Sequence, residues 1–397
     1  MDNNNPSNSS NGNKNNSIAT KANNTKKDKI ATAIVRYVIH RPITIWRRFS
    51  SRRKKKRISK KIDEDLKKDD QLCCEILILG GQASGKTTIC KQMKILYGKE
   101  YSDAEKQKFI KIIDRNIKNV LLTIVKNVLK MENLISELQE IVLFIENYNF
   151  KNDKRREFYI CAEILWSNLQ LHSALEKIQD SQLQATTQHF GSKIAVLKRK
   201  DFVPTDEDIL HCYEPSKAVV EVKFKSAGDY YKMSEIPNLM YNKQLWKQVI
   251  KGKFVIIFVV PINTFLELEG KETNPFTDAL QEFQAYGKMP CFFGRSCVIF
   301  LNKVDLFTEN IFKSSVNLEH CFPGFSENED VSEDCVVTKA KNFVSSAFAK
   351  VAKENKMYWT YIHFTCGVDS EDVNDVYKQC QIEIKCSYLC SLNKFDY

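Results

Sequence analysis

Residues 77–90, LILGGQASGKTTIC, place two glycines, a lysine and a threonine at the spacing Gly80-x-x-x-x-Gly85-Lys86-Thr87. In chemical terms this is a phosphate grip. The glycines leave backbone N–H groups unobstructed, the lysine brings a cation to β- and γ-phosphates, and the threonine hydroxyl suits Mg²⁺. Gly80, Gly81, Gln82, Ala83, Ser84, Gly85, Lys86, Thr87 and Thr88 are therefore candidate nucleotide-binding residues, with Thr87 also a candidate metal ligand. A second set lies in SCVIFLNKVD at 296–305, where Asn302, Lys303 and Asp305 follow an apolar run. A carboxylate two residues beyond a lysine can accept from both N1–H and the 2-amino group of guanine, a donor pair that adenine lacks. A third set closes TYIHFTCG, where a main-chain N–H around Cys366 and Gly367 can donate to the guanine O6. Taken in this order, each at the carboxyl end of an expected strand, the three sets predict GTP or GDP as ligand. A P-loop kinase or ATPase would need adenine selectivity, which NKVD argues against.

These residues need elements to hold them. CCEILILGG reads as a short strand ending in glycine, and TTICKQMKILYG reads as a helix with Ile89, Met93 and Leu96 on one face. A helix N-terminus directly after the loop adds a dipole that favours anions. From Asp103 to about Gln182 the chain is poor in Gly and Pro, and Ile110, Ile113, Ile117 and Leu121 recur at helical spacing, which predicts a helix-bundle core. The longest apolar run, FVIIFVVPI, is about half of what a membrane-spanning helix needs. Thirteen cysteines, none spaced C-x-x-C, read as reduced core residues, with neither a disulfide framework nor a zinc site implied. That usage fits a cytoplasmic protein.

Charge is concentrated at one end. Residues 1–70 carry 19 Lys/Arg and 7 Asp/Glu, so the net +11 of the chain resides in that arm. Residues 1–29 are rich in Asn and Ser and are expected to be disordered. In the segment that follows, Ile30, Ile34 and Val38 share one helical face, and a dense Lys/Arg block runs from Arg47 to Lys61. An amphipathic stretch beside a polybasic block suits an anionic membrane surface. A solvated charged arm and a transit peptide fit the same composition. The block holds a single aromatic, Phe49, and none among the basic residues from Arg52 to Lys61, so no nucleic-acid partner is expected.

LILGGQASGKTTICKQMKILYG resembles the phosphate-loop region of heterotrimeric G-protein alpha subunits. The likeness continues through ISKKIDEDLKKD, YSDAEKQKF, PTDEDIL, VEVKF, FLNKVDLF, CFPGF and HFTCGVDSEDVNDVY, roughly residues 57–397. It implies an α/β fold: a Ras-like P-loop GTPase domain, a mostly parallel sheet flanked by helices, with an inserted all-helical domain. On this reading residues 1–56 are the arm, 57–99 an N-terminal helix and the first part of the Ras-like domain, 100–203 the insertion and 204–397 the remainder. The resemblance also implies GTP/GDP with Mg²⁺, Leu210 at the nucleotide, Ser216 as second protein ligand to the metal, and a site at the inner face of the plasma membrane. Its implied partners are a beta-gamma dimer and a seven-helix receptor.

The hydrolysis apparatus departs from that pattern. The arginine expected three residues beyond Leu210 is Tyr213, which brings no positive charge. In KMSEIPNLMYNKQLW, Glu235 stands at the family's aspartate, Pro237 and Asn238 at its two glycines, and Leu239 at the glutamine that orients water. Gln82 and Ala83 replace a glycine and a glutamate inside the loop, and the start Met-Asp-Asn offers no acceptor for amino-terminal acylation. Binding is thus expected to be better kept than catalysis. Two readings follow: a slow GTPase switch, or an inactive pseudo-GTPase serving as a nucleotide-locked module or scaffold.

Overall fold

The computed structural model describes residues 73–126, 135–150, 154–168, 181–215, 218–236, 254–268, 272–289, 292, 295–313, 317–326, 333–357 and 360–393. The basic arm, Ser216 and residues 237–253 with Leu239 lie outside the described residues.

Six strands form one sheet in the order β2-β3-β1-β4-β5-β6: β1 (Cys73–Leu79), β2 (Val220–Ser226), β3 (Asp229–Glu235), β4 (Val255–Pro261), β5 (Cys297–Asn302) and β6 (Thr360–Thr365). Only the β2–β3 hairpin is antiparallel. The sequence explains the order. VIIFVVP and CVIFLN are apolar almost throughout and buried along their length, as central parallel strands covered on both faces must be. VEVKFKS alternates and sits at an edge with one face exposed. The apolar run considered above for its length is therefore β4.

One face of the sheet is covered by α1 (Lys86–Tyr97) and, from the carboxyl end of the chain, α12 (Ser370–Asn393), through Ile89, Met93, Val373, Tyr377 and Cys380. The other is covered by α8 (Pro275–Gly287), α9 (Val304–Lys313), α10 (Leu318–Cys321) and α11 (Glu333–Glu354), around a cluster of Phe258, Phe283, Phe307, Phe322 and Phe348. No helix among the described residues is long and apolar enough to cross a membrane.

Between β1–α1 and β2 the chain makes a separate helical core from α2 (Asp103–Ile124), α3 (Ser136–Asn147), α4 (Arg155–Trp166), α5 (Ser181–Gly191) and α6 (Ile194–Leu197). Ile110, Ile113, Ile117 and Leu121 are all buried. Ser102 starts α2 with a reciprocal capping box to Glu105, and Lys94 of α1 pairs with the same Glu105, fixing the exit from α1. The Lys94 bond, helped by Ser102, lowers the Glu105 carboxyl pKa to about 2. A short α7 (Asp206–His211), capped by Thr205 and Asp208, leads back to the sheet.

The helical core contains a buried ionic node. Arg155 donates from Nε to Asp114 Oδ2 at 2.9 Å and from Nη2 to Oδ1 at 3.0 Å, while the Tyr159 hydroxyl donates to Oδ1 at 2.6 Å. Removing one partner of such a node leaves an uncompensated charge, at about 3 kcal/mol or more. Asp114→Ala should lower unfolding stability by that amount, and a denaturant titration with an unchanged midpoint would refute the role assigned to the node.

Candidate nucleotide site

The carboxyl ends of the parallel strands bring the candidate residues to one edge. Pro261 pairs in register with Asn302, and Asn302 with Thr365, while Ile78 beside the loop pairs with Glu235. The loop between β1 and α1 closes over this edge. Gly80 at φ 134° passes so close to β4 that a Cβ would lie 2.0 Å from the Val259 carbonyl oxygen. At Gly85, φ 98°, a Cβ would lie 2.2 Å from Asn302 Nδ2. Ala83 takes a left-handed φ of 56°. The resulting cleft, about 1250 Å³, is lined by the loop, by Leu210 and Tyr213 after the helical core, and by Lys303, Asp305 and Cys366.

Lys86 Nζ lies inside the loop, donating to the Gly80 carbonyl at 2.9 Å, to the Gly81 carbonyl, and to Ser84 Oγ at 3.2 Å. Burial lowers its pKa, against the raising effect of Glu235 and Glu282. Thr87 Oγ1 donates to Glu235 Oε2 at 2.8 Å, so a hydroxyl and a carboxylate meet at the base of the cleft. Hard oxygen donors of this kind fit Mg²⁺. Gln82 is exposed at the loop tip, and Thr88 lines the cleft beside it.

Asn302 is wholly buried and its amide joins three segments. Nδ2 donates to the Ser84 carbonyl at 2.8 Å, and Oδ1 accepts from Thr365 Oγ1 at 3.0 Å and from the Gly367 N–H at 2.9 Å. The side chain read from sequence as a base ligand is thus first a tie between phosphate loop and TCG loop. The Cys366 N–H donates to Asp372 Oδ2 at 2.7 Å, so both main-chain donors proposed for a guanine oxygen already have partners inside the protein. A base oxygen would compete with Asn302 for the Gly367 N–H. Asp305 is exposed in the first turn of α9, and its carboxylate lies against the Cys366 thiol, whose pKa rises to about 12 through burial and then this charge.

Several residues of the site are not among the sequence candidates. Lys91, one turn beyond the loop, donates to the carbonyls of Ile209 at 2.8 Å and Cys212 at 2.7 Å, closing the carboxyl end of α7. Asn116 of α2 grips the Tyr213 backbone from the other side, accepting from its N–H at 2.8 Å and donating to its carbonyl at 2.7 Å. Glu282 of α8 approaches Gly81 closely enough that a Cβ there would lie 2.9 Å from its Oε2. Burial raises the Glu282 carboxyl pKa, with Lys86 opposing. No sequence pattern marks Glu282; the packing of α8 on the sheet brings it to the loop.

A phosphate loop at the head of a mostly parallel six-stranded sheet, with a helical core inserted between its first two strands, defines a Ras-like P-loop protein carrying a helical domain. Comparison with known proteins narrows this class. The profile of the G-protein alpha subunit family matches residues 52–384, and the chain belongs to that family of guanine-nucleotide-binding signal transducers. It is similar to the guanine nucleotide-binding protein G(s) subunit alpha of Homarus americanus, 28% identical over 351 residues that cover 83% of this chain and 92% of that protein.

Asn302→Ala would leave the Ser84 carbonyl and the Gly367 N–H buried without partners, each at roughly 1–3 kcal/mol. We expect a loss of about 2–5 kcal/mol in unfolding stability and faster amide exchange at Gly367. Unchanged exchange at Gly367 would show that the tie is not made in solution.

Proposed function

We propose that this chain is a G-protein alpha subunit that holds GTP or GDP with Mg²⁺ and hydrolyses GTP slowly, transmitting the state of a seven-helix receptor to a beta-gamma dimer and effectors. The observation that carries the reading is the Asn302 tie, which draws the phosphate loop, NKVD and TCG into one cleft. Lys86 and the loop N–H groups from Gly80 to Thr88 hold phosphates, Asp305 and Lys303 face the base, and Leu210 packs beside the nucleotide. Thr87 and Ser216 serve as metal ligands, and Glu235 positions the Thr87 hydroxyl or contacts the ion through water. Bound Mg²⁺ supplies charge to the β- and γ-phosphate oxygens. Residues 57–99 and 204–397 form the nucleotide domain, 100–203 the helical insertion, and the basic arm attracts the protein to the anionic inner face of the plasma membrane.

A second reading, a nucleotide-locked module that binds without cutting, draws support from Tyr213. This side chain lines the cleft where the family's arginine stands, and it offers no cation. Such an arginine is worth about 10³–10⁵ in rate in phosphoryl transfer.

The deciding experiment is to purify the full chain with Mg²⁺, identify the retained nucleotide by chromatography after denaturation, and follow single-turnover phosphate release from loaded GTP. We expect a retained guanine nucleotide and release at or below roughly 10⁻⁴ s⁻¹. An empty site would overturn both readings. Because Asn116 fixes the backbone at residue 213, Tyr213→Arg should raise release by about 10-fold or more, the cation alone restoring part of the full effect. No gain would mean that the missing water-orienting group limits the reaction by itself. Asp305→Asn should shift preference from guanine toward xanthine nucleotides, and competition binding that leaves GDP preferred by the same margin would remove Asp305 from the base site.

A further inference from the structure

At the rim of the cleft, the last turn of α5 meets α7 through three side chains outside the phosphate-loop, NKVD and TCG segments. His189, Glu207 and His211 each offer one ligand atom, and these atoms lie within 4.8 Å of one another. Hydrogen bonds fix which ring nitrogens carry protons. His189 Nε2 is 2.8 Å from Asp208 Oδ1, a carboxylate oxygen that accepts, so Nε2–H donates there and the lone pair available to a ligand is on Nδ1. Lys193 Nζ also approaches Nε2, at 3.2 Å, but its shorter bond is to the same Asp208 oxygen at 2.9 Å. His211 Nδ1 is 3.0 Å from the Glu207 carbonyl oxygen, so it donates there and leaves its lone pair on Nε2. Glu207 Oε1 lies 3.7 Å from His189 Nδ1.

We propose that His189 Nδ1, His211 Nε2 and the Glu207 carboxylate bind one divalent transition-metal ion of the Zn²⁺ type, stapling the helical insertion to α7. Two imidazoles and a carboxylate, with water in a fourth position, form a favoured ligand set for this ion. The outer contacts fit as well. Ligating histidines commonly donate the other ring N–H to a carboxylate or a backbone carbonyl; Asp208 takes that role for His189, while the Glu207 carbonyl holds the His211 ring before the ion enters.

Charge permits the ion. Two carboxylates, Glu207 and Asp208, face the single ammonium of Lys193, which leaves the cluster anionic. One movement is required. The two rings stack with centroids 3.9 Å apart and planes 2° from parallel, so the lone pairs converge only when the His211 ring turns out of the stack. Its half-exposed position allows that turn, and the exposed Glu207 carboxylate can follow. The staple would join the insertion to the segment that carries Leu210 and Tyr213, across the rim of the cleft that both histidines line.

The test is a titration of the purified full chain with Co²⁺, followed by absorption and then by Zn²⁺ displacement. We expect one tight equivalent per chain, with ligand-field bands of a nitrogen and oxygen site and no thiolate charge-transfer band, and an affinity at least 10-fold weaker in His211→Gln and in Glu207→Gln. Affinities unchanged within twofold in both variants, or a spectrum dominated by thiolate charge transfer that puts the ion on cysteines, would overturn the proposal. Should His211→Gln fold poorly by circular dichroism, Glu207→Gln decides alone, because that side chain is exposed and supports no packing.

Discussion

The cleft depends on one buried amide. Asn302 spends both ends of its side chain on neighbouring loops, and without it the phosphate loop and the TCG loop would each carry a buried backbone group with no partner. The register of the sheet makes this possible. Asn302 ends β5 between Pro261 and Thr365, with its neighbours on both sides at matching height. Gly85 completes the arrangement from above, since only a residue without a Cβ lets the loop descend onto the Asn302 amide. Gln92, also buried, adds a second tie by donating to the Gly367 carbonyl at 3.1 Å.

The same logic extends outward along α1. Its first residue, Lys86, serves the phosphate loop, and Lys91 a little over one turn later closes α7, placing a cation at the carbonyl end of that helix. Asn116 then holds Tyr213 from the insertion side by two backbone bonds. The backbone at Tyr213 is therefore well fixed in space, while the side chain it presents brings no cation to the cleft. The backbone of this segment is held by polar side chains on either side, independently of the side chain that residue 213 carries.

Much of this could be read from the sequence because the pattern is local. The strand and helix on either side of GGQASGKT follow from an apolar run and a helical period, and the burial of Ile110, Ile113, Ile117 and Leu121 follows from their spacing. What sequence could not supply is pairing across distance. Asn302 reads as a base contact because its motif says so, yet its bonds run to residues 218 and 65 positions away. Asn116 and Glu282 belong to no motif, Lys91 stands in the helix after the phosphate loop with no assigned role, and each reaches its partner through packing between elements far apart in the chain. The cysteine reading holds for Cys74, Cys90, Cys212, Cys297, Cys321 and Cys380, which are free and buried, whereas Cys73 and Cys386 are free and exposed.

The close passage of the phosphate loop at both its ends also limits how this protein can change over time. At Gly80 and Gly85 a single added carbon would collide with β4 or with Asn302, so these positions are closed to every other residue unless the sheet itself moves. Gln82 stands exposed at the tip, with room for any side chain. Ala83 is held in a backbone conformation that many residues tolerate at a modest cost, of order 1 kcal/mol. Drift in the loop is therefore channelled to its middle, where Gln82 and Ala83 occupy the stretch that geometry leaves open.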